Sequence, residues 1–186
     1  MSERSVKTAL MSSIHRLMET RSIDQIRVED ILSLCGVSRT TFYRYFKDKY
    51  DLMNYCYRAE VNEIVSRYDI QDYLGTIQAI FRYVERNRDF LRTAVQYEGQ
   101  NSFMEFFQEY LEKYYTSVVC ALSGQQQLTC LQRIMISHHC AGWVYSEVKY
   151  LQSNNDHEEL VSATDYVQVI TPIIIDSIIA LKDQQI

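Results

Sequence analysis

The sequence predicts an all-α fold, with short helices in the N-terminal third and a bundle of longer helices after them. One proline and five glycines occur in 186 residues, too few for the frequent turns of a β-sandwich or barrel. Apolar side chains make up 47% of the chain, and they recur at three- and four-residue spacing along most of it. This content suffices for one compact domain, or for two subdomains that share a core.

Composition also argues against several classes of protein. No run approaches twenty consecutive apolar residues, and the N-terminus lacks the charged-then-apolar order of a signal peptide, so we expect a cytoplasmic protein without a membrane partner. The five cysteines are an odd number and form no C-x-x-C pair. There is no glycine-rich phosphate loop and no nucleophile beside a base. We therefore expect no metal, no cofactor, no catalytic residue and no enzyme activity.

The charges are distributed unevenly along the chain. Residues 1–60 carry ten Lys or Arg against eight Asp or Glu, whereas residues 61–186 carry nine against sixteen. An acidic body repels a polyanion, so any nucleic-acid contact must come from a basic patch within the first sixty residues.

Four helices are predicted in the first third of the chain. Apolar residues at helical spacing from Val6 to Met18 indicate the first, and a second short pattern over residues 28–35 ends at Gly36, which suits a left-handed helix cap. Ser38 can cap a third helix of barely two turns, and Asp48 can cap a fourth that runs toward residue 67.

The second and third helices have the dimensions of a helix-turn-helix, whose second helix enters the major groove of DNA. Phe42 and Phe46 lie four residues apart and face inward, which turns Arg39, Thr40, Tyr43 and Arg44 to the opposite side. Arginine can bind guanine in a bidentate manner, threonine can contact a base edge, and tyrosine can donate to a phosphate. We therefore predict double-stranded DNA as the partner.

The run GVSRTTFYRYFKDKYDL at residues 36–52, with VEDI at residues 28–31 before it, resembles the TetR/AcrR family of transcriptional regulators. The resemblance covers about the first sixty residues closely, and beyond them it extends to helix count and length. It implies a homodimer that binds a palindromic operator, most often as a repressor released by a small effector. By position it makes Arg39, Thr40 and Arg44 base-reading residues, with Thr41, Tyr43, Tyr45 and Lys49 on the phosphate backbone around the cap Ser38.

One position departs from the family pattern. Arg27 stands where many members have a hydroxyl residue at the start of the second helix. Neither Arg27 nor Val28 supplies the hydroxyl of the usual cap and phosphate contact, but Arg27 can restore the phosphate contact by its charge, which the neighbouring Glu29 and Asp30 partly offset.

Longer helices are predicted beyond the fourth, separated by short polar breaks. Their expected spans are 71–87, 88–96, 101–122, 127–152 and 158–183. This pattern divides the chain into a DNA-binding region (1–48), a connecting helix (about 49–67) and a helical region for effector binding and dimerisation (68–186).

The last helix is apolar over too wide an arc for one core, so we expect it to pack against a partner chain as well. Together with the preceding helix it could form a four-helix dimer contact. Pro172 should kink or split the last helix. The predicted interface residues are Leu131, Met135, Gly142, Tyr145, Val167, Ile170, Ile174 and Ile178.

Aromatic residues are dense between positions 97 and 115, and most of them fit a core as well as a cavity wall. His138, His139 and Cys140 are consecutive and point about 100° apart on a helix, so they cannot easily share a metal ion. His138 could instead offer a polar group to a pocket or to the dimer contact. The predicted pocket residues are Tyr97, Phe103, Phe107, Tyr114, His138 and Trp143.

The resemblance implies a repressor whose DNA affinity changes when a small molecule binds. The aromatic residues favour a hydrophobic or aromatic effector, which we expect to tilt the fourth helix near Ile64 and Tyr68. The alternative is a regulator of the same fold that responds to a protein partner and has no small-molecule pocket.

Overall fold

A computed structural model describes residues 2–99, 102–152 and 163–181 of the chain, and side chains throughout these ranges except at 163–167. Within these ranges the regular structure is helical, with no strand, which confirms the all-α prediction. The expected start of the last helix near residue 158 lies outside the described residues. The elements are α1 (Glu3–Met18), a short 3₁₀ helix (Ile23–Gln25), α2 (Val28–Cys35), α3 (Arg39–Tyr45), α4 (Lys49–Val65), α5 (Tyr73–Arg86), α6 (Arg88–Val95), α7 (Phe103–Ser123), α8 (Cys130–Gln152) and α9 (Ala163–Ala180).

The contacts divide the chain into two units. The N-terminal unit comprises Met1–Asn62 and Asn87–Phe106, and the C-terminal unit comprises Glu63–Arg86 and Phe107–Ile186. The division falls inside α4 and inside α7. Helix α6 therefore belongs to the same unit as α1, α2 and α3.

The core of the N-terminal unit joins α6 and the start of α7 to the first four helices. The imidazole of His15 on α1 stacks on Phe90 of α6 with ring centroids 3.9 Å apart. The Thr93 hydroxyl donates to the Met18 carbonyl at 3.3 Å. Tyr57 of α4 meets Phe103 edge to face at 5.2 Å. These contacts fix α6 against α1 and the start of α7 against α4.

The C-terminal unit is built from α5, most of α7, α8 and α9. Trp143 of α8 is buried and packs against Phe81 of α5 at 4.8 Å and Phe107 of α7 at 6.2 Å between ring centroids. The Gln132 amide donates to the Ile178 carbonyl at 2.9 Å and so joins α8 to α9. The aromatic cluster thus joins α5, α7 and α8, and the hydrogen bond from the buried Gln132 amide joins α8 to α9.

Pro172 lies inside α9, which continues without a break from Ala163 to Ala180. The predicted split is therefore wrong. Proline removes the hydrogen bond to the carbonyl four residues earlier, which here belongs to Gln168, an exposed residue. Water can satisfy that carbonyl, so the helix continues.

In the described ranges, no helix combines the length and the apolar content that crossing a membrane requires.

Candidate nucleic-acid interface

The turn between α2 and α3 depends on Gly36. Its backbone is left-handed, at φ 67° and ψ 17°, and its N–H donates to the Leu32 carbonyl at 2.9 Å. A Cβ added here would meet no atom within 4 Å, so the requirement for glycine is conformational rather than one of space. The sequence-based prediction of a left-handed cap at this position is confirmed.

Helix α3 begins at Ser38 and is anchored by its inner face. The Ser38 hydroxyl accepts from the Thr41 N–H at 3.1 Å and shares a 2.8 Å hydrogen bond with the Thr41 hydroxyl. Val37, Phe42 and Phe46 are buried beneath the helix. A seven-residue helix has little stability of its own, so these contacts determine its orientation.

The outer face of α3 presents Arg39, Thr40, Tyr43 and Arg44, all exposed. Arg39 forms an ion pair with Glu29 of α2, and its guanidinium carbon lies 5.5 Å from the Tyr43 ring centroid. Because both charged groups are exposed, the pair contributes at most about 1 kcal/mol. The ion pair therefore costs little to break, and the exposed Arg39 guanidinium can exchange Glu29 for another acceptor.

Arg44 is positioned by Tyr45. The guanidinium donates to the Tyr45 hydroxyl at 2.8 Å and lies 4.7 Å from that ring's centroid. Tyr45 is half-buried, so it holds Arg44 from the side of the helix.

The start of α4 brings a cation and free backbone N–H groups to the same end of the unit. Asp48 accepts from the Asp51 N–H at 2.8 Å, which confirms the expected cap. The Lys49 ammonium donates to the carbonyls of Asp24 at 3.1 Å and Ile26 at 2.8 Å, and burial lowers its pKa. An ammonium has three protons, so one remains for a phosphate.

Tyr97 also contacts the start of α4. Its ring stacks on Tyr50 at 4.0 Å, and the Tyr50 hydroxyl donates to the Asp24 carboxylate at 3.1 Å. Burial, together with hydrogen bonds to Tyr97 and Asp24, raises the pKa of Tyr50. The segment that follows α6 is thus attached to the same end of α4 that carries Lys49.

Arg27 begins α2 without a side-chain cap. Its N–H donates to the Asp30 carboxylate at 2.9 Å, which satisfies the backbone, while its guanidinium is exposed. The Asp30 carboxylate also lies 3.8 Å from the Arg21 guanidinium, so it interacts with both Arg21 and the backbone N–H of Arg27. The Arg27 guanidinium is therefore not used in capping α2.

The start of α1 was not predicted to belong to this surface, and the structure brings it there. The Lys7 ammonium lies 5.2 Å from the Tyr45 ring centroid and 5.5 Å from that of Tyr55, and it pairs with Glu3 at 2.7 Å. The bond to Lys7, with a smaller effect from Arg44, lowers the pKa of Glu3. The i,i+4 spacing of Glu3 and Lys7 was visible in the sequence, but their approach to α3 was not.

The predicted pocket residues are distributed over both units. Tyr97 and Phe103 belong to the N-terminal unit, whereas Phe107, Tyr114 and Trp143 are buried in the C-terminal unit. His138 lies on the exposed face of α8, and its Nδ1 is 2.8 Å from the Ile134 carbonyl. The helical register places His138 on the same face of α8 as Met135 and Gly142. Because this face is largely exposed in the single chain, His138 does not line the interior of the unit.

The predicted interface residues divide in a similar way. Ile178 is fully buried within its own chain, because it faces α8 near Gln132. The Val167 side chain lies outside the described residues. The others are exposed or half-buried, and they are Leu131, Met135, Gly142, Tyr145, Ile170 and Ile174.

Two family models match the chain. Residues 10–56 match "Bacterial regulatory proteins, tetR family", and residues 71–159 match "Transcriptional regulator C-terminal region". Among the described residues, no group of three or more His, Cys, Asp or Glu side chains could hold a metal ion.

A curated relative and two solved structures are similar to this chain. The HTH-type dhaKLM operon transcriptional activator DhaS of Lactococcus lactis subsp. lactis is 30% identical over 77 residues, which is 40% of each chain. The solved structure of a dihydroxyacetone kinase operon activator, DhaS, is 17% identical with a TM-score of 0.66, covering 92% of this chain and 95% of that one. A TetR transcriptional regulator from Streptococcus agalactiae is 15% identical with a TM-score of 0.59, covering 94% of each chain.

At these identities the two solved structures establish the fold alone. The family models contribute more, because they match the helix-turn-helix and the C-terminal region separately and together cover most of the chain. Regulators of this family bind DNA and are not enzymes. The chain belongs to the TetR family of transcriptional regulators.

Proposed function

We propose that this regulator binds a palindromic operator as a homodimer, represses the adjacent genes, and changes its DNA affinity when a small hydrophobic or aromatic effector binds its C-terminal unit. The observation that carries the DNA-binding part is the geometry of α3, with a buried aromatic inner face and four exposed polar side chains. The first sixty residues carry a small net positive charge, which attracts DNA, whereas the acidic remainder of the chain repels it.

The roles of the DNA-contacting residues follow from their positions. Arg39, Thr40 and Arg44 project from the face of α3 that enters the major groove, where they can contact base edges. A second group surrounds this helix and suits contacts to the sugar-phosphate backbone, which fix position rather than sequence. Its proposed members are Arg27, Ser38, Thr41, Tyr43, Tyr45 and Lys49, and we add Lys7 because its ammonium lies beside the Tyr45 ring.

The homodimer is supported by apolar side chains that a single chain leaves exposed on α8 and α9. Tyr145 is 64% exposed, Val169 59% and Ile173 57%, and Leu131 and Ile134 are exposed beside them on α8. Exposed apolar patches of this kind usually mark an interface. A twofold dimer would place its half-site centres about one helical turn, ~34–36 Å, or a small multiple apart.

Coupling between effector and DNA has a physical route within the N-terminal unit. Phe90 and Thr93 of α6 contact α1, while Tyr97 stacks on the start of α4. A displacement of α6, or a tilt of α4, would therefore change the position of α3 relative to its partner copy. A ten- to hundredfold change in affinity requires only ~1–3 kcal/mol of coupling, and DNA must weaken effector binding equally.

A second candidate is transcriptional activation, since the curated relative bears the name of an operon activator. A reporter gene behind the DNA upstream of this chain's coding region separates the two. We expect higher expression when the regulator is deleted, whereas lower expression would replace repression with activation.

The direct test of the proposal is binding of the purified protein to palindromes in that upstream DNA, measured by fluorescence anisotropy. Compounds that raise the melting temperature are then tested for operator release. If no upstream palindrome binds, the operator proposal fails. If compounds bind and DNA affinity never changes, control by a protein partner replaces control by an effector.

A further inference from the structure

Two polar side chains inside the C-terminal unit have no hydrogen-bond partner among the described residues. Glu147 is 3% exposed, and neither carboxylate oxygen is bonded. Thr171 is fully buried, and its hydroxyl is likewise unpartnered. Burying an unpaired carboxyl group is among the most unfavourable arrangements in a protein interior. Such a group is therefore a candidate for binding something that the chain itself does not supply.

The surroundings of Glu147 are aromatic. It lies on the inner face of α8, one turn after Trp143, whose indole contacts Phe81 of α5 and Phe107 of α7. Leu151, also buried, follows one turn later. Glu147 thus lies one helical turn from a cluster of three aromatic rings that belong to three helices of the unit.

No described cation pairs with this carboxyl group. Burial, and then the charge of Glu85 on α5, raises the pKa of Glu147 to about 8. His139, two turns earlier on α8, is kept neutral because burial lowers its pKa to about 4. On α7, Glu112 bonds to Gln108 and Ser137, and Asp176 of α9 is exposed. The cations Arg82 and Arg86 on α5 and Lys149 on α8 are exposed, and among the described residues no buried Lys or Arg neutralises an ionised Glu147.

We propose that Glu147 is the polar anchor of an effector site and that it selects a protonated amine carried on an aromatic or apolar body. This inference rests on the proposed control by an effector and makes its chemistry specific. A carboxylate forms charge-assisted hydrogen bonds with an ammonium group, and aromatic faces attract the same cation. An anionic ligand would meet repulsion from Glu147 and Glu85.

Binding of a cation is coupled to loss of a proton from Glu147. At neutral pH the carboxyl group of the free protein is largely protonated, and the ammonium pairs with the ionised form. Each bound amine therefore releases close to one proton to the buffer. The affinity should rise with pH until Glu147 is fully ionised.

The test compares amines with alcohols of the same shape, using the benzyl, naphthylmethyl and decyl pairs, by isothermal titration calorimetry on the full chain. At least one amine should bind roughly tenfold or more tightly than its alcohol, and measurements in two buffers of different ionisation enthalpy should show proton release. Glu147→Gln should remove both the preference and the proton release. Glu109→Gln, which neutralises an exposed carboxylate of α7 that pairs with Lys113, is the matched control and should retain both.

Two results would overturn the site: no amine binds better than its alcohol, or Glu147→Gln binds the amines as the unaltered chain does. The same samples are assayed for operator release, which separates the two proposals. Amines that bind through Glu147 and leave DNA affinity unchanged would support the site and refute effector control. Release of DNA by alcohols alone would support effector control and refute the role of Glu147.

Discussion

The two units of this regulator place their functional side chains in opposite environments. In the N-terminal unit the candidate DNA-binding side chains are exposed on α3, and local caps such as Ser38 and Asp48 hold the helix ends in place. In the C-terminal unit the most unusual polar groups, Glu147 and Thr171, are buried and unpartnered among the described residues. Exposed DNA-binding side chains are solvated by water when DNA is absent, so they cost the fold little stability. Buried polar groups without a partner destabilise the fold until a ligand supplies one.

The largest expected effect concerns the exposed apolar face of α8 and α9. Ile173→Glu would place a carboxylate in the proposed interface twice, once from each chain, where it has no partner. We expect a monomer and a loss of operator affinity of at least about a hundredfold, roughly 3 kcal/mol. Analytical ultracentrifugation gives the oligomeric state, and anisotropy gives the affinity.

Leu122→Glu is the matched control, since Leu122 is an exposed apolar residue at the end of α7, on neither α8 nor α9. It should remain dimeric and bind DNA normally. A dimeric Ile173→Glu protein would show that this face is not the interface.

The next effect is on stability and separates the interior of the C-terminal unit from its surface. Because the pKa of Glu147 is raised from 4.5 to about 8 on folding, the folded state binds more protons than the unfolded state between these values. Stability is therefore lost as pH rises through this window, by roughly 3 kcal/mol near neutral pH. Glu147→Gln should remove that slope, as measured by urea unfolding at several pH values.

Glu85→Gln should leave most of the slope in place, since Glu85 is exposed. If the unaltered chain and Glu147→Gln show the same pH dependence, the carboxyl group is not buried in solution.

An intermediate effect is expected on the DNA-reading surface. Arg39→Ala should cost ~1–3 kcal/mol of operator affinity and relax the preference at one base pair, because the role proposed for its guanidinium is contact with a base edge. Its thermal stability should change little, since the ion pair with Glu29 is exposed. Arg16→Ala, which removes an exposed arginine of α1, is the control. Equal losses on all operator variants would reassign Arg39 to phosphate binding.

The sequence predicted the local features of the DNA-binding unit well. Gly36, Ser38 and Asp48 act on residues within four positions of themselves, and such effects follow from backbone chemistry alone. The contacts that complete the site span longer separations, as in the bonds from Lys49 to Asp24 and Ile26. These depend on how helices pack, which the spacing of apolar residues does not determine.

The C-terminal unit was less predictable for the same reason. A wide apolar arc on the last helix suggested two packing partners, but it could not assign Ile178 to the chain's own core. His138 and His139 are adjacent in sequence, and only the structure shows the first exposed and the second buried. Glu147 had a signal, since its neighbours one turn away on either side, Trp143 and Leu151, are apolar and mark an inward-facing position.

A smaller effect is expected at Tyr43, whose ring is exposed beside Arg39. Tyr43→Phe removes a hydroxyl that can donate to a phosphate, so binding should weaken by up to about 1 kcal/mol. The loss should be the same for specific and non-specific DNA, because phosphate contacts do not specify sequence. Competition assays with altered operators measure this. A loss confined to one base pair would make Tyr43 a base-reading residue.

The smallest expected effect tests how closely two copies approach at Gly142. This glycine lies inside α8 on its exposed side, and an added Cβ would meet nothing within 4 Å in the single chain. In a monomer, Gly142→Ala should therefore stabilise the helix by about 0.5–1 kcal/mol, because glycine has more backbone freedom to lose. In a dimer that packs closely at this position, the added methyl group would push the two copies apart.

The two contributions can be separated by introducing Gly142→Ala into the unaltered chain and into Ile173→Glu. We expect a higher melting temperature in the Ile173→Glu background and a dimer weakened by roughly threefold in the unaltered one. Ser146→Ala, which changes α8 one turn away without adding bulk, is the control and should not weaken the dimer. If Gly142→Ala stabilises both backgrounds equally, the contact between copies does not include this part of α8, and the interface must be centred on Val169 and Ile173 of α9.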